Sequence, residues 1–174
     1  PNHVHFDPAV KAMKAGIPGM GGKLAETWDL LETRFWEPEA QMYKDEISRD
    51  WQTVSPYRGQ NANMHMTEAM LTAYEATGDV RYLDRAETLA RRICVDLADS
   101  AQGVVWEHYH QDWSVDWDYN KDDPKHLFRP YGYLPGHMTE WTKLLLILDR
   151  HRPQDWILPR AIHLYETALA ESAD

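Results

Sequence analysis

The chain has 174 residues, of which 43% are hydrophobic and 26% charged, and its formal net charge is −10. This length and composition fit one globular domain with a real core. The acidic balance excludes the basic stripe that nucleic-acid binding requires, and no apolar run reaches the roughly 18 residues that span a bilayer. We therefore expect neither a nucleic-acid nor a membrane partner.

The chain has a single cysteine, Cys94, which lies at helical spacing with Ala90 and Leu97. One cysteine excludes an internal disulfide framework and fits a reducing compartment such as the cytoplasm. The spacing predicts a buried, inert thiol. The eight Trp and nine Tyr fit either a large helical core, which we favour, or a carbohydrate site lined by rings.

The first third of the chain contains two predicted helices and an extended segment. Asp7-Pro8 is a good helix opening and predicts a helix over 7–16. The glycine-rich segment 19–22 predicts a loop, and apolar residues at helical spacing predict a helix over 23–35. The segment 42–51 has few helix signals and predicts a short extended or hairpin structure.

The middle of the chain contains a helix pair followed by a long polar segment. A helix is predicted over 62–76, and Gly78-Asp79 is typical of a helix end followed at once by a new N-cap. The next helix runs to Leu97, and a short strand is predicted over 104–109. Residues 110–134 are polar and aromatic with no clear period, which is typical of a functional loop.

Two further helices are predicted over 135–150 and 155–171. The total is five or six helices, joined alternately by tight turns and by long polar connections. This alternation is typical of antiparallel helix pairs around a common axis. The long connections then gather at one end and can build a site there.

The first candidate site segment is the run RGQNANMH over 58–65. Asn61 and His65 are four residues apart, so they lie on one helix face. A buried, hydrogen-bonded His65 that stabilises the helix start is one interpretation. The donors and acceptors of Arg58, Gln60, Asn61 and Asn63 around it favour the other, in which the hydroxyls of a sugar supply their partners.

The second candidate segment is RPYGYLPGHMTEW over 129–141, which places His137 at a helix start. A neutral imidazole is a natural general acid or base near pH 7. Glu140 lies three residues later and is expected to orient His137 or to accept a proton. The helix N-terminus is expected to lower the imidazole pKa. The alternative is a surface His–Glu pair of small energetic effect.

Metal and nucleotide sites have weak support in the sequence. Glu107, His108 and His110 lie on a predicted strand, but no His-Glu-x-x-His motif and no cysteine pair is present. The segment 19–22 lacks the Lys-Ser/Thr of a phosphate-binding loop. We predict no metal and no cofactor.

Four segments carry a resemblance to a known family. The runs RGQNANMHMTEA (58–69), TGDVRYLDRA (77–86), EHY (107–109) and DYNKDDPKHLFRPYGYLPGHMTEW (118–141) resemble the N-acylglucosamine 2-epimerase superfamily. Within it, the chain is most similar to bacterial mannose isomerases and sulfoquinovose isomerases. The resemblance covers nearly the whole chain and implies an all-α (α/α)6 barrel with its site in the barrel mouth and no metal.

The resemblance also implies roles for individual residues. His137 would be an acid/base with Glu140 beside it, Asn61 and His65 would hold sugar hydroxyls, and Arg129 would lie in the pocket region. We add Arg58 and Trp141, which flank the two histidines, to the expected substrate-binding set.

Two departures from the family pattern are visible. The family's second catalytic histidine lies beyond residue 174, and family members are considerably longer. We therefore expect residues 1–174 to form a single domain that is about half of the barrel, the central part of such a protein. Its open edge would be covered by further chain or by association into a homo-oligomer. Leu134 and Met138 stand where relatives often carry polar residues.

The leading hypothesis is a sugar isomerase that interconverts a mannose-type aldose and its 2-ketose through a cis-enediol(ate), with a monosaccharide as its partner. A sugar 2-epimerase of the N-acylglucosamine or cellobiose type is the first alternative. A non-catalytic carbohydrate-binding or assembly fragment is the second.

Overall fold

The computed structural model describes Ala15 and residues 19–171, so the helix predicted over 7–16 lies, apart from Ala15, outside the described residues. The helices are α1 (Met20–Arg34), α2 (Gln60–Thr77), α3 (Val80–Arg91), α4 (Ala98–Ser100), α5 (Pro135–His151) and α6 (Ile157–Glu171), and a π-helical segment (Arg92–Leu97) joins α3 to α4. The strands are β1 (Trp36–Glu37), β2 (Met42–Tyr43), β3 (Arg58–Gly59) and β4 (His108–Tyr109).

Two helix pairs form the body of the described chain. Helix α2 packs against α3, α5 packs against α6, and α5 also contacts both α2 and α3. The predicted junction between α2 and α3 is confirmed: Gly78 has a left-handed φ of 72°, and the Asp79 side chain accepts from the backbone N–H of Arg81. Because glycine reaches this conformation without strain, the chain reverses in two residues.

The core lies between the helix pairs and follows the predicted apolar stripes. The predicted stripe of the third helix is buried throughout: Tyr82, Ala86, Leu89, Ala90, Ile93 and Leu97. Cys94 is fully buried as predicted, and burial raises the pKa of its thiol well above the usual value. The helical spacing of Tyr165 with Ala161 and Ala168 predicts that it faces inward, but it is 46% exposed, because α6 turns Ile157, Ala161, Leu164 and Ala168 towards α5 instead.

Three local predictions differ from the structure. The glycines at 21 and 22 lie inside α1 rather than in a loop, since burial of Leu24 and Leu31 outweighs their roughly 1 kcal/mol cost each. The helix predicted to run to Leu97 ends in the π-helical segment. The strand predicted over 104–109 is confined to β4, where β3 supplies a partner.

The extended segment predicted over 42–51 is confirmed only at its start. Strand β2 pairs antiparallel with β1, with Trp36 opposite Tyr43 and Glu37 opposite Met42. None of the helices among the described residues combines the length and the apolar character needed to cross a membrane.

Candidate active site

The pairing of β3 with β4 brings the two predicted site segments together. Gly59 lies opposite His108, and the Gln60 backbone N–H donates to the Glu107 carbonyl at 3.2 Å. A Cβ at Gly59 would stand 2.6 Å from the Tyr57 hydroxyl and 3.1 Å from Asp45 Oδ1, so a larger residue here would have to displace those side chains. Glu107 is thereby placed beside the first turn of α2.

His137 lies in the first turn of α5 and faces that same carboxylate. Its Nδ1 is 2.9 Å from Glu107 Oε1 and 2.8 Å from Gln60 Nε2. Gln60 Nε2 donates to both oxygens of Glu107 at 3.0 Å, and Trp141 Nε1 donates to Gln60 Oε1 at 2.7 Å. Gln60 and Trp141 are fully buried and Glu107 is 4% exposed, whereas the His137 side chain is 22% exposed.

The pKa of His137 lies above its ordinary value of 6.5. Burial lowers this pKa, but the hydrogen bond and charge of Glu107, together with the charge of Glu140, outweigh the burial. The prediction that the helix N-terminus would lower the pKa is therefore wrong. An imidazole held by a carboxylate at Nδ1 can still take or give a proton at Nε2.

Glu107 and Gln60 are the residues that sequence reasoning missed. The sequence places Glu107 only among possible metal ligands, and Gln60 only within a polar cluster. The sequence does contain one indication: side chains alternate along a strand, so Glu107 and His108 face opposite sides and need not belong to the same site. His108 is occupied on both ring nitrogens, by the Tyr57 hydroxyl at 2.9 Å and the Pro130 carbonyl at 2.6 Å, so it is not free to bind a metal.

Glu140 lies elsewhere than predicted. Its carboxylate is 3.6 Å from Lys143 Nζ. One of its oxygens also lies within 4.8 Å of a ring nitrogen of His65 and of a carboxylate oxygen of Glu68. Lys143 also bonds Glu68 at 3.0 Å, so an ammonium group already offsets part of the negative charge of this cluster. Glu140 acts on His137 through its charge, while the hydrogen bond to His137 belongs to Glu107.

Asn61 and His65 lie one turn apart on α2, as predicted. Asn61 Oδ1 is buried and finds no hydrogen-bond donor among residues 19–171. A buried acceptor left in that state costs about 1–3 kcal/mol, so it calls for a partner. His65 is partly exposed and its Nδ1 lies 3.7 Å from Glu68.

The structure does not support Arg58 as a substrate ligand. Arg58 is completely buried, and its Nε and Nη2 bind the two carboxylate oxygens of Glu37 at 2.9 and 2.7 Å. Its Nη1 donates to the carbonyls of Ser55 and Tyr57. The guanidinium group is thus committed to fixing the loop before β3.

The structure likewise gives no support for Trp141 as a substrate ligand. Its ring is completely buried, and its only polar atom is committed to Gln60. A ring in that position cannot stack on a sugar, so its contribution to the site is indirect.

Arg129 is partly exposed, beside the long loop. Its guanidinium group lies 3.9 Å from the Tyr57 ring centroid, Nη1 donates to the Tyr119 hydroxyl at 3.1 Å, and Nη2 pairs with Glu46. Tyr57 and Tyr119 also line a cleft of about 800 Å³. His137 does not line this cleft, so we place the candidate chemistry at the Glu107–His137 pair rather than in the cleft.

Comparison with known proteins gives one family. The profile described as N-acylglucosamine 2-epimerase matches residues 4–174. The D-mannose isomerase of Marinomonas mediterranea is 55% identical over 164 residues, which cover 94% of this chain and 42% of that protein. The chain therefore spans less than half the length of this relative.

Solved structures agree with this assignment. A crystal structure of a D-mannose isomerase has a TM-score of 0.96 and 51% identity, covering 98% of this chain and 44% of that one. The cellobiose 2-epimerase from Spirochaeta thermophila has a TM-score of 0.75 at 22% identity, covering 93% and 42%, and shows the shared fold alone. The predicted fold class, part of an (α/α)6 barrel, is confirmed. The chain belongs to the N-acylglucosamine 2-epimerase family.

Proposed function

We propose that the protein containing this chain is an aldose–ketose isomerase acting on a mannose-type sugar. The observation that carries the proposal is the Glu107–His137 pair, which holds one imidazole nitrogen and leaves the other for a substrate. The D-mannose isomerases that resemble this chain at 55% and 51% identity support the choice of sugar and reaction.

The reaction requires one proton to move between neighbouring carbons. His137 Nε2 removes the proton from C2 of the open-chain aldose, and the electron pair of the C–H bond forms the C1–C2 double bond. The C1=O π pair moves to O1, which takes a proton to complete the cis-enediol(ate). Loss of the O2 proton then forms the C2=O bond, and the C1–C2 π pair takes up a proton at C1 to give the 2-ketose. A positioned acid/base contributes about 10²–10⁴-fold to such a step.

The substrate-binding part of the proposal rests on Asn61, His65 and Arg129. Asn61 Oδ1 offers a buried acceptor without a donor, which a sugar hydroxyl would satisfy. His65 lies one turn along the same helix and is partly exposed. Arg129 keeps part of its side chain accessible beside Tyr57.

Turnover in heavy water tests the proposal. The protein, at its full natural length, is incubated with mannose in D2O, and the products are followed by NMR. Formation of the 2-ketose with deuterium at C1 is expected. Glucose formation with deuterium at C2 would instead identify a 2-epimerase. Absence of both products would contradict enzymatic function and favour a carbohydrate-binding module.

We also propose that residues 1–174 form one domain, a partial barrel, because the two helix pairs share one continuous core. Limited proteolysis tests this: residues 19–171 are expected to resist cleavage as one unit, and early cleavage within 60–171 would contradict it. The buried free thiol of Cys94 fits the proposed cytoplasmic location.

A further inference from the structure

Only one orientation of the Gln60 amide satisfies its surroundings. The Trp141 indole N–H can only donate, and it lies 2.7 Å from Gln60 Oε1. The amide nitrogen then faces both oxygens of Glu107. Turning the amide over would set two donors against each other at Trp141 and a carbonyl against the carboxylate.

This orientation decides which nitrogen of His137 carries the proton. The amide nitrogen of Gln60 cannot accept, and an ionised Glu107 cannot donate, so Nδ1 cannot satisfy both neighbours. A proton on Nδ1 makes the charge-assisted bond to Glu107, which is the stronger of the two. Nε2 is then left bare.

The same amide limits further protonation of the ring. Its N–H groups share the negative charge of Glu107, and their positive edge lies 2.8 Å from Nδ1. Both effects oppose an imidazolium ion. Glu107 and Glu140 are the charged groups that favour it, and burial opposes it.

We propose that Gln60 and Trp141 are positioning residues that keep His137 neutral, while Glu107 holds its proton on Nδ1 and leaves Nε2 open as the base. Trp141 acts by fixing the Gln60 amide, and Gln60 acts by restraining the Glu107 carboxylate. The identity of the proton that Nε2 removes rests on the proposed function, whereas the tautomer does not.

Two variants separate this positioning role from simple packing. Trp141→Phe removes the indole N–H and frees the amide to turn its carbonyl towards His137. Gln60→Met removes both amide contacts in an unbranched side chain of similar length. Because each change strengthens the hold of Glu107 on His137, each should raise the pKa of His137 by about half a unit or more.

The experiment is an NMR titration of His137 in the unliganded protein at its full natural length, with ring ¹⁵N shifts to identify the tautomer. In both variants the acidic limb of the pH profile of kcat/KM should move to higher pH by the same amount as the pKa of His137. The value of kcat/KM near pH 7 should then fall roughly threefold and recover at alkaline pH.

The matched control is Trp156→Phe. Trp156 Nε1 is buried with no hydrogen-bond partner among the described residues, so this change removes the same group without breaking a bond. The titration of His137 should not move in this variant.

The outcomes are distinguishable. A wild-type titration of His137 in Gln60→Met, or an Nε2–H tautomer in the wild type, would overturn the inference, even in an active enzyme and even where Trp141→Phe does not fold. If the variants shift the titration of His137 but the wild-type protein converts no sugar, the proposed function is contradicted and the positioning role of Gln60 and Trp141 is still supported.

Discussion

Glu107 Oε1 lies 2.9 Å from His137 Nδ1, so the carboxylate paired with the candidate base comes from a residue 30 positions upstream. Glu140, the carboxylate one helical turn away, points instead into a cluster with Lys143 and His65. The environment of His137 is therefore set by tertiary packing rather than by its own helix.

Replacing Glu107 tests whether its carboxylate sets the pKa of His137. Glu107→Gln is expected to lower the pKa of His137, because burial then acts with only the charge of Glu140 against it. The acidic limb of the pH–rate profile should move to lower pH, and the maximal rate should fall about tenfold or more. Glu140→Gln is the control and should shift the limb less, since it breaks no hydrogen bond to His137.

The same variant gives a stability prediction with a definite sign. A histidine whose pKa is raised on folding contributes stability below its unfolded pKa, and loses that contribution as pH rises through the folded value. Glu107→Gln should therefore cost more unfolding free energy at pH 5.5 than at pH 8.5. Urea titrations at the two pH values measure this, and an equal cost would contradict the proposed pairing.

Asn61 should matter for binding and little for stability. Its Oδ1 has no donor among the described residues, so Asn61→Ala should not lower the unfolding free energy, whereas it should raise KM about tenfold. Asn63 is a matched control two residues along the helix, because its amide binds the Tyr43 backbone at both N and O. Asn63→Ala should lose about 1–3 kcal/mol of stability. Equal destabilisation in the two variants would argue against a binding role for Asn61.

Sequence reasoning located the helices and the two histidines because these features depend on local patterns. The Gly78-Asp79 junction needs only one left-handed residue and one capping side chain, both legible in the sequence. The start of α5 is marked by Pro135 just before His137.

The errors share a physical cause, which is that a polar residue's partner is fixed by the fold. Arg58 finds Glu37, 21 residues upstream across a loop, and Trp141 finds Gln60, 81 residues upstream in another helix. Both residue types also occur in sugar sites, so composition could not separate a ligand from a support.

Arg58 should accordingly behave as a structural residue. Arg58→Lys keeps the charge but cannot bind both oxygens of Glu37, so it should lower stability by about 1.5–3 kcal/mol. KM at a temperature where the variant is folded should stay within twofold of the wild type. Thermal unfolding and steady-state kinetics measure the two effects. Arg49→Lys, at an exposed position, is the control and should change neither. A raised KM without lost stability would restore Arg58 as a substrate ligand.

Asp45, whose carboxylate accepts from the Gly59 backbone N–H at 2.8 Å, should make the unfolding free energy depend on pH. Burial raises the pKa of Asp45 to about 7, although the Gly59 N–H and the charges of Arg129 and Arg58 oppose the shift. A carboxyl group whose folded pKa exceeds its unfolded value of 3.8 contributes stability below that value and loses it as pH rises through about 7. Asp45→Asn keeps an acceptor for Gly59 without the charge, so its stability relative to the wild type should increase between pH 4 and pH 8.

Chemical denaturation across that pH range measures the difference for Asp45→Asn. Asp50→Asn is the control, because Asp50 is exposed and its pKa is lowered by the Ser48 hydroxyl and the Gln52 N–H, so its pH dependence should be small and opposite in sign. A difference between Asp45→Asn and wild type that does not change with pH would mean that Asp45 titrates normally. The Gly59 N–H and the two arginines would then compensate fully for the burial of the Asp45 carboxylate.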